Sequence, residues 1–301
     1  MKTKSWIQLI VLGMIWGSSF LFQRITVPVV GAGMTAMIRV ALAALVLAVA
    51  IVILRRPLQW RENWRAYLTI GSINAGLPFL LFAFAAHYLP AGYLAVLNAT
   101  VPFFTVLVVW ASGPRPSVSK LAGVVVGILG IATLARFGAV SLTLPTIAAF
   151  AAGLLAAVCY AIGARAVRTR FANVDPLVVA CGSMTGTLLP LLPVSAISPP
   201  TQFPSMTVVW SLLVLGIICT GLAYALFYRL IREAGSERAV TVTFIVPIFA
   251  QLWGAIFLGE AITWASAAGC GLVLVALALI FEKAPRLKPR VVTPPVCAAQ
   301  Q

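Results

Sequence analysis

Apolar residues in this chain come in runs of about twenty, broken by short polar stretches. A helix of about 20 apolar residues crosses the roughly 30 Å hydrocarbon core of a bilayer. The runs predict ten membrane-spanning helices, at 6–27, 33–54, 66–86, 91–111, 118–136, 143–164, 175–194, 207–228, 236–258 and 262–281. The connections between them are too short for a soluble domain, so residues 1–282 read as one all-α membrane domain. Composition agrees, with 62% apolar residues, 9% charged residues and a mean hydropathy of +1.07. A soluble domain would carry roughly 25% charged residues. Residues 283–301 are basic and contain Pro285, Pro289, Pro294 and Pro295, which predicts a disordered tail. The first 27 residues are too long and lack the cleavage site of a signal peptide, so they count as the first span.

The second half repeats the first. Leu68–Pro102 aligns with Leu213–Pro247 at a constant offset of 145 without a gap, and nine of thirty-five positions are identical. Gly71/Gly216, Gly76/Gly221 and Pro102/Pro247 are among them. Each repeat, 5–136 and 143–282, holds five spans. An odd number of crossings inverts the second copy, and inverted repeats are how many secondary transporters build two gates from one motif.

Charge sets the orientation. The net charge of +15 invites a nucleic-acid reading, but 18 of the 21 basic residues fall on the face that also holds both termini. That is the positive-inside pattern, which places both termini in the cytoplasm. Anionic lipid accounts for the basic face, and no nucleic-acid partner is implied.

No span holds an Asp or Glu near its middle. Glu62, Asp175, Glu233, Glu237 and Glu282 fall on the cytoplasmic face, Glu260 ends the ninth span, and the single histidine, His87, ends the third. Proton-coupled carriers hold a titrating group on the pathway, so transport without tight proton coupling is expected. A lipophilic cation would find no counter-charge at depth. Hydrolytic chemistry lacks a base and a metal-ligand cluster, so no catalytic residue, metal or cofactor is expected. Cys159, Cys181, Cys219 and Cys270 have no metal-ligand spacing and read as small buried core residues.

What lies at depth is polar but uncharged, with one exception. Pro102 and Pro247 each deprive a carbonyl four residues back of its donor. Those carbonyls belong to Asn98 and Thr243, which are themselves repeat-related. A hinge and part of a substrate site is one reading; an ordinary helix kink is the other. Trp16-Gly17-Ser18-Ser19-Phe20 in the first span offers an aromatic wall or a close helix contact. Tyr160, Tyr224 and Asn74 sit at comparable depth. Arg39 is the one basic residue well inside a span, either snorkelled to the surface or holding a substrate carboxylate. Glycine pairs such as Gly123/Gly127 provide small faces for helix packing, within a monomer or in a weak homodimer.

The Trp16–Phe20 segment, Arg39, the paired prolines and Leu258-Gly259-Glu260 resemble the EamA branch of the drug/metabolite transporter superfamily. The pattern over residues 5–282 is most similar to YddG-type aromatic amino-acid exporters. The resemblance implies a bacterial inner-membrane protein with a central cavity between the repeats. The first repeat departs from the pattern by ending Ser112-Gly113-Pro114, without Gly-Glu, and Arg39 has no basic counterpart in the seventh span.

Together these readings point to an exporter of neutral, aromatic or other apolar amino acids, bound by Trp16, Ser18, Arg39, Asn74, Asn98, Tyr160, Tyr224 and Thr243 and hinged at Pro102 and Pro247. An exporter of other neutral metabolites or drugs is the alternative on the same fold. A membrane interaction protein that transports nothing is the third.

Overall fold

The computed structural model describes residues 3–111, 113, 115–138, 140–197, 200, 202–234, 239 and 241–281. The expected tail at 283–301, with Glu237 and Glu282, lies outside them. Among the described residues all regular structure is helical, with no strand. Eight helical runs are long and apolar enough to cross a membrane, and a ninth apolar helix is shorter. They are α1 (Thr3–Ile53), α2 (Trp60–Tyr88), α3 (Ala91–Trp110), α4 (Val118–Phe137), α5 (Leu144–Arg170), α6 (Pro176–Ile197), α7 (Met206–Ile231), α8 (Val242–Leu258) and α9 (Trp264–Phe281).

The first run is two helices, not one. Gly31 has φ 79° and ψ 163°, outside the helical region and accessible without strain only to glycine. It divides α1 into a first arm, 3–30, and a second arm, 32–53. Contacts fix their directions. The first arm starts beside Glu233 through Lys4 and ends beside Glu260 through Arg24. The second arm starts beside Val194 through Gly33 and ends with Arg56 beside Asp175. On α7, Gly216 faces Leu42 and Gly221 faces Val46, so the second arm runs parallel to α7 toward the end that meets Lys4. The two arms are therefore antiparallel, and the break at Gly31 is the turn between them. The residues between the expected spans 6–27 and 33–54 are helical except at that point.

Close approaches between helices fall where side chains are small. A Cβ on Gly17 would meet the backbone of Val246 and Ala250 on α8, and one on Gly13 would meet Ile245. Gly123 and Gly130 on α4 face the carbonyls of Ala276 and Gly269 on α9, and Gly127 lies under the Phe103 ring. The small face of α4 is thus taken up inside the molecule.

The repeats also exchange partners. Gly71 and Gly76 on α2 pack on Ser183 and Thr187 of α6, while Gly216 and Gly221 on α7 pack on the second arm of α1. At both places the helix widens to a π turn, Ser72–Gly76 in one half and Val214–Leu222 in the other. Leu77 N–H donates to the carbonyl of Ser72, five residues back, and Thr220 Oγ1 donates to that of Leu215, also five back. Glycines five apart match a π turn, because the wider turn brings positions i and i+5 near one face.

Candidate functional site

Arg39 lies eight residues past the turn, about 12 Å down the second arm at 1.5 Å per residue. Its side chain is deep in the bundle, and the residue is 8% exposed. Nε donates to Thr220 Oγ1 at 2.9 Å, and the guanidinium carbon sits 3.8 Å from the centre of the Phe79 ring. The π turn explains the first contact: Thr220 spends its own hydroxyl proton on Leu215, five residues back, which leaves its oxygen lone pairs for Arg39. Among the described residues nothing accepts a hydrogen bond from the two terminal amino groups of Arg39.

Aromatic and small polar side chains surround this cation. Tyr160, Cys219 and Tyr224 are within electrostatic reach of it. Trp16 packs edge-on to Tyr224 at 6.5 Å and tilts against Phe227 at 5.1 Å. Tyr160 stacks on Phe82 at 6.3 Å, and Phe82 meets Phe20 at 5.7 Å. Ser18 Oγ lies 3.6 Å from the sulfur of Cys219. Trp16, Ser18, Tyr160 and Tyr224 are half-buried residues. Asn74 belongs to the rim of the same cluster, its side chain against Gly163, one helical turn from Tyr160 on α5.

The described carboxylates are all engaged elsewhere or at the surface. Asp175 pairs with Arg56 at 3.6 Å. Glu233 pairs with Arg229 at 2.8 Å and Lys4 at 3.8 Å, and the hydrogen bond from Arg229 draws its carboxyl below the ordinary value. Glu62 is exposed in the first turn of α2. Glu260 joins Arg24 at one end of the bundle, 3.1 Å apart, and its second oxygen accepts from Ala91 N–H at 2.9 Å. Gly259 makes this possible. It ends α8 at φ 67°, and Glu260 N–H returns to the carbonyl of Gly254, which turns the carboxylate back toward the start of α3.

The remaining expected residues belong to α3 and α8. Asn98 is half-buried and follows Leu97, which packs on Gly153, two turns along α5 from Tyr160. Directly after it α3 is interrupted. Thr100 N–H and Oγ1 both donate to Leu97 O, and Phe103 and Phe104 N–H both donate to Thr100 O. Pro102 is the second residue of the helix that resumes. Thr243 stands in the first turn of α8, next to Phe244, whose ring meets Phe281 at 5.8 Å. Pro247 is inside that helix, and α8 runs through it without a break. The two prolines are sequence-equivalent but interrupt their helices differently.

Sequence reasoning did not single out Thr220 or Phe79 as partners of Arg39. The Gly-x4-Gly spacing at 71/76 and 216/221 was the available signal, since it marks the π turn that aims Thr220.

An all-helical apolar bundle with a polar, aromatic cluster inside it is a multi-pass membrane protein. The EamA-like transporter family model matches residues 4–136 and 147–282, and the chain belongs to this family of membrane transporters. It is 24% identical over 282 residues to an uncharacterized transporter of Archaeoglobus fulgidus, covering 93% of this chain and 99% of that one. It is 24% identical to the uncharacterized transporter YoaV of Bacillus subtilis, over 83% of this chain and 87% of the relative. Protein PecM of Dickeya dadantii is 25% identical over 91% of this chain and 93% of its own length. A solved crystal structure shares the fold at a TM-score of 0.67 and 19% identity, covering 93% of this chain and 96% of the other.

Proposed function

We propose that this transporter exports neutral amino acids with aromatic or other apolar side chains across a bacterial inner membrane. In this reading the chain crosses the membrane ten times, as two inverted five-helix repeats with both termini cytoplasmic. The observation that carries the substrate class is Arg39: a buried guanidinium whose terminal amino groups meet no acceptor among the described residues, flanked by half-buried aromatic rings. A carboxylate suits the guanidinium fork, because two parallel N–H···O bonds match its geometry. An apolar side chain suits the wall of Trp16, Tyr160 and Tyr224, with Ser18 and Asn74 at its edge. Asn98, Thr243 and the carbonyls deprived by Pro102 and Pro247 supply acceptors for the ammonium group. Alternating access then comes from bending at the interrupted α3 and at the proline of α8. No carboxylate lies beside Arg39 among the described residues, which favours transport without tight proton coupling.

Counterflow of labelled phenylalanine in proteoliposomes tests the proposal. Wild-type protein accumulates label transiently, Arg39→Ala abolishes it, and Arg39→Lys retains only a small part. Flux unchanged in both variants overturns the assignment of Arg39. A competition series of amino acids against neutral drugs and sugars in the same vesicles separates amino-acid export from export of other neutral metabolites.

A further inference from the structure

We propose that the Arg39 cluster is an anion site, selective for a free carboxylate on an aromatic or apolar body and more favourable to a monocarboxylate than to the zwitterionic amino acid. The inference rests on the reading of this cluster as the substrate site, and it narrows the ligand by charge balance. The groups within reach of Arg39 are Thr220, Phe79, Tyr160, Cys219 and Tyr224, a set with one formal positive charge and no negative one. Glu260, Asp175 and Glu233 are each paired with arginine elsewhere, and Glu62 is exposed. His87 rests against Tyr88 at the far end of α2.

A buried charge without a partner is costly, and the ligand that best removes the cost carries one opposite charge. A monoanion neutralises the site. A zwitterion satisfies the fork but adds an ammonium a few ångströms from the guanidinium, so the pair of like charges remains in a poorly screened interior. The acceptors proposed for that ammonium, at Asn98 and Thr243, are neutral. Tyr160 and Tyr224 add hydroxyl dipoles but no charge. The recognised unit is therefore the carboxylate with its apolar body, and the amino group is tolerated, not read.

Isothermal titration of the purified full-length protein at pH 8 with four ligands that share a phenylethyl body tests this. 3-Phenylpropanoate, a monoanion, is expected to bind about tenfold more tightly than phenylalanine, the zwitterion. 3-Phenylpropanamide, neutral, and 2-phenylethylamine, a cation, are expected to bind at least about a hundredfold more weakly than the acid. Arg39→Gln removes binding of the acid, and Thr220→Val, which keeps the charge, preserves the order of the four ligands. Phenylalanine binding as tightly as 3-phenylpropanoate, or more tightly, overturns the anion preference while leaving the substrate site in place. Failure of all four ligands to bind wild-type protein overturns both readings. The ranking on wild-type protein decides the question even if Arg39→Gln does not fold.

Discussion

Arg24 and Glu260 are 236 residues apart in sequence and 3.1 Å apart in space, one at the end of the first arm of α1 and the other just past α8. Arg24 also donates to the carbonyl of Ala86 at 2.8 Å, and Glu260 accepts from Ala91 N–H, the first residue of α3. A carboxylate at a helix N-terminus is stabilised by the unpaired N–H groups and by the helix dipole. One ion pair thus joins both repeats and ties down the segment Ala91–Asn98, which lies between this clip and the interruption at Ala99–Thr100.

The clip is expected to hold one end of the bundle closed. Glu260→Gln keeps the shape but removes the charge that pairs Arg24. With Cys159, Cys181, Cys270 and Cys297 replaced by alanine, Cys219 reports entry to the site from that end. Labelling of Cys219 in vesicles by a membrane-impermeant maleimide should rise by about fivefold or more in Glu260→Gln, consistent with loss of roughly 1 kcal/mol of a partly exposed pair. Equal labelling rates in both proteins dissociate the clip from access.

Thr220 positions Arg39 through its hydroxyl. Thr220→Val preserves shape and leaves Nε buried without an acceptor, at a cost of about 1–3 kcal/mol. Thr220→Ser restores the acceptor. The apparent affinity for phenylalanine in counterflow should fall about tenfold in the valine variant and return to within about twofold of wild type in the serine variant. Equal affinity in the valine variant removes Thr220 from the site.

Gly259 is set by its backbone. Its φ of 67° costs a residue with a Cβ about 1 kcal/mol, so Gly259→Ala should lower the thermal midpoint of the purified protein by a few degrees. It should also raise Cys219 labelling, since Glu260 is aimed by this turn. A lower midpoint with unaltered labelling separates the cap from the clip.

Pro102 keeps α3 interrupted. In Pro102→Ala the nitrogen regains a proton for the carbonyl of Asn98, and a continuous helix becomes accessible. Phenylalanine flux should slow about tenfold while the amount of protein in the membrane is unchanged. Pro247→Ala should have the smaller effect, because α8 already runs unbroken through that position. The reverse order of the two variants refutes the hinge at α3.

Much of the architecture is legible in the chain because a bilayer forces it. A backbone that crosses hydrocarbon satisfies its polar groups within a helix, so apolar length alone locates the helices. The runs at 91–111, 118–136 and 262–281 lie within a few residues of the helices observed. The expected spans 6–27 and 33–54 fall on the two arms of α1, although a single glycine turns the chain there with no polar loop to mark it. The 145-residue offset predicted equivalent glycines, and the structure adds that both pairs fall at π turns and pack on the other repeat's second helix.

The site divides in the same way. Sequence by itself determined that Arg39 is a lone cation at depth, because no acidic residue falls near the middle of any apolar run. It also determined that aromatic and hydroxyl side chains share that depth, because helical rise converts position directly to height. Only the tertiary structure decided which of these meet. A π turn shifts every later side chain around the helix axis, so the register that brings Thr220 to Arg39 cannot be read from a 3.6-residue period. Helix packing determined which face of α5 carries Tyr160 toward the cluster. Likewise Glu260 was visible as the end of a span, but its partners belong to the other repeat, and only the fold brings them within hydrogen-bonding distance.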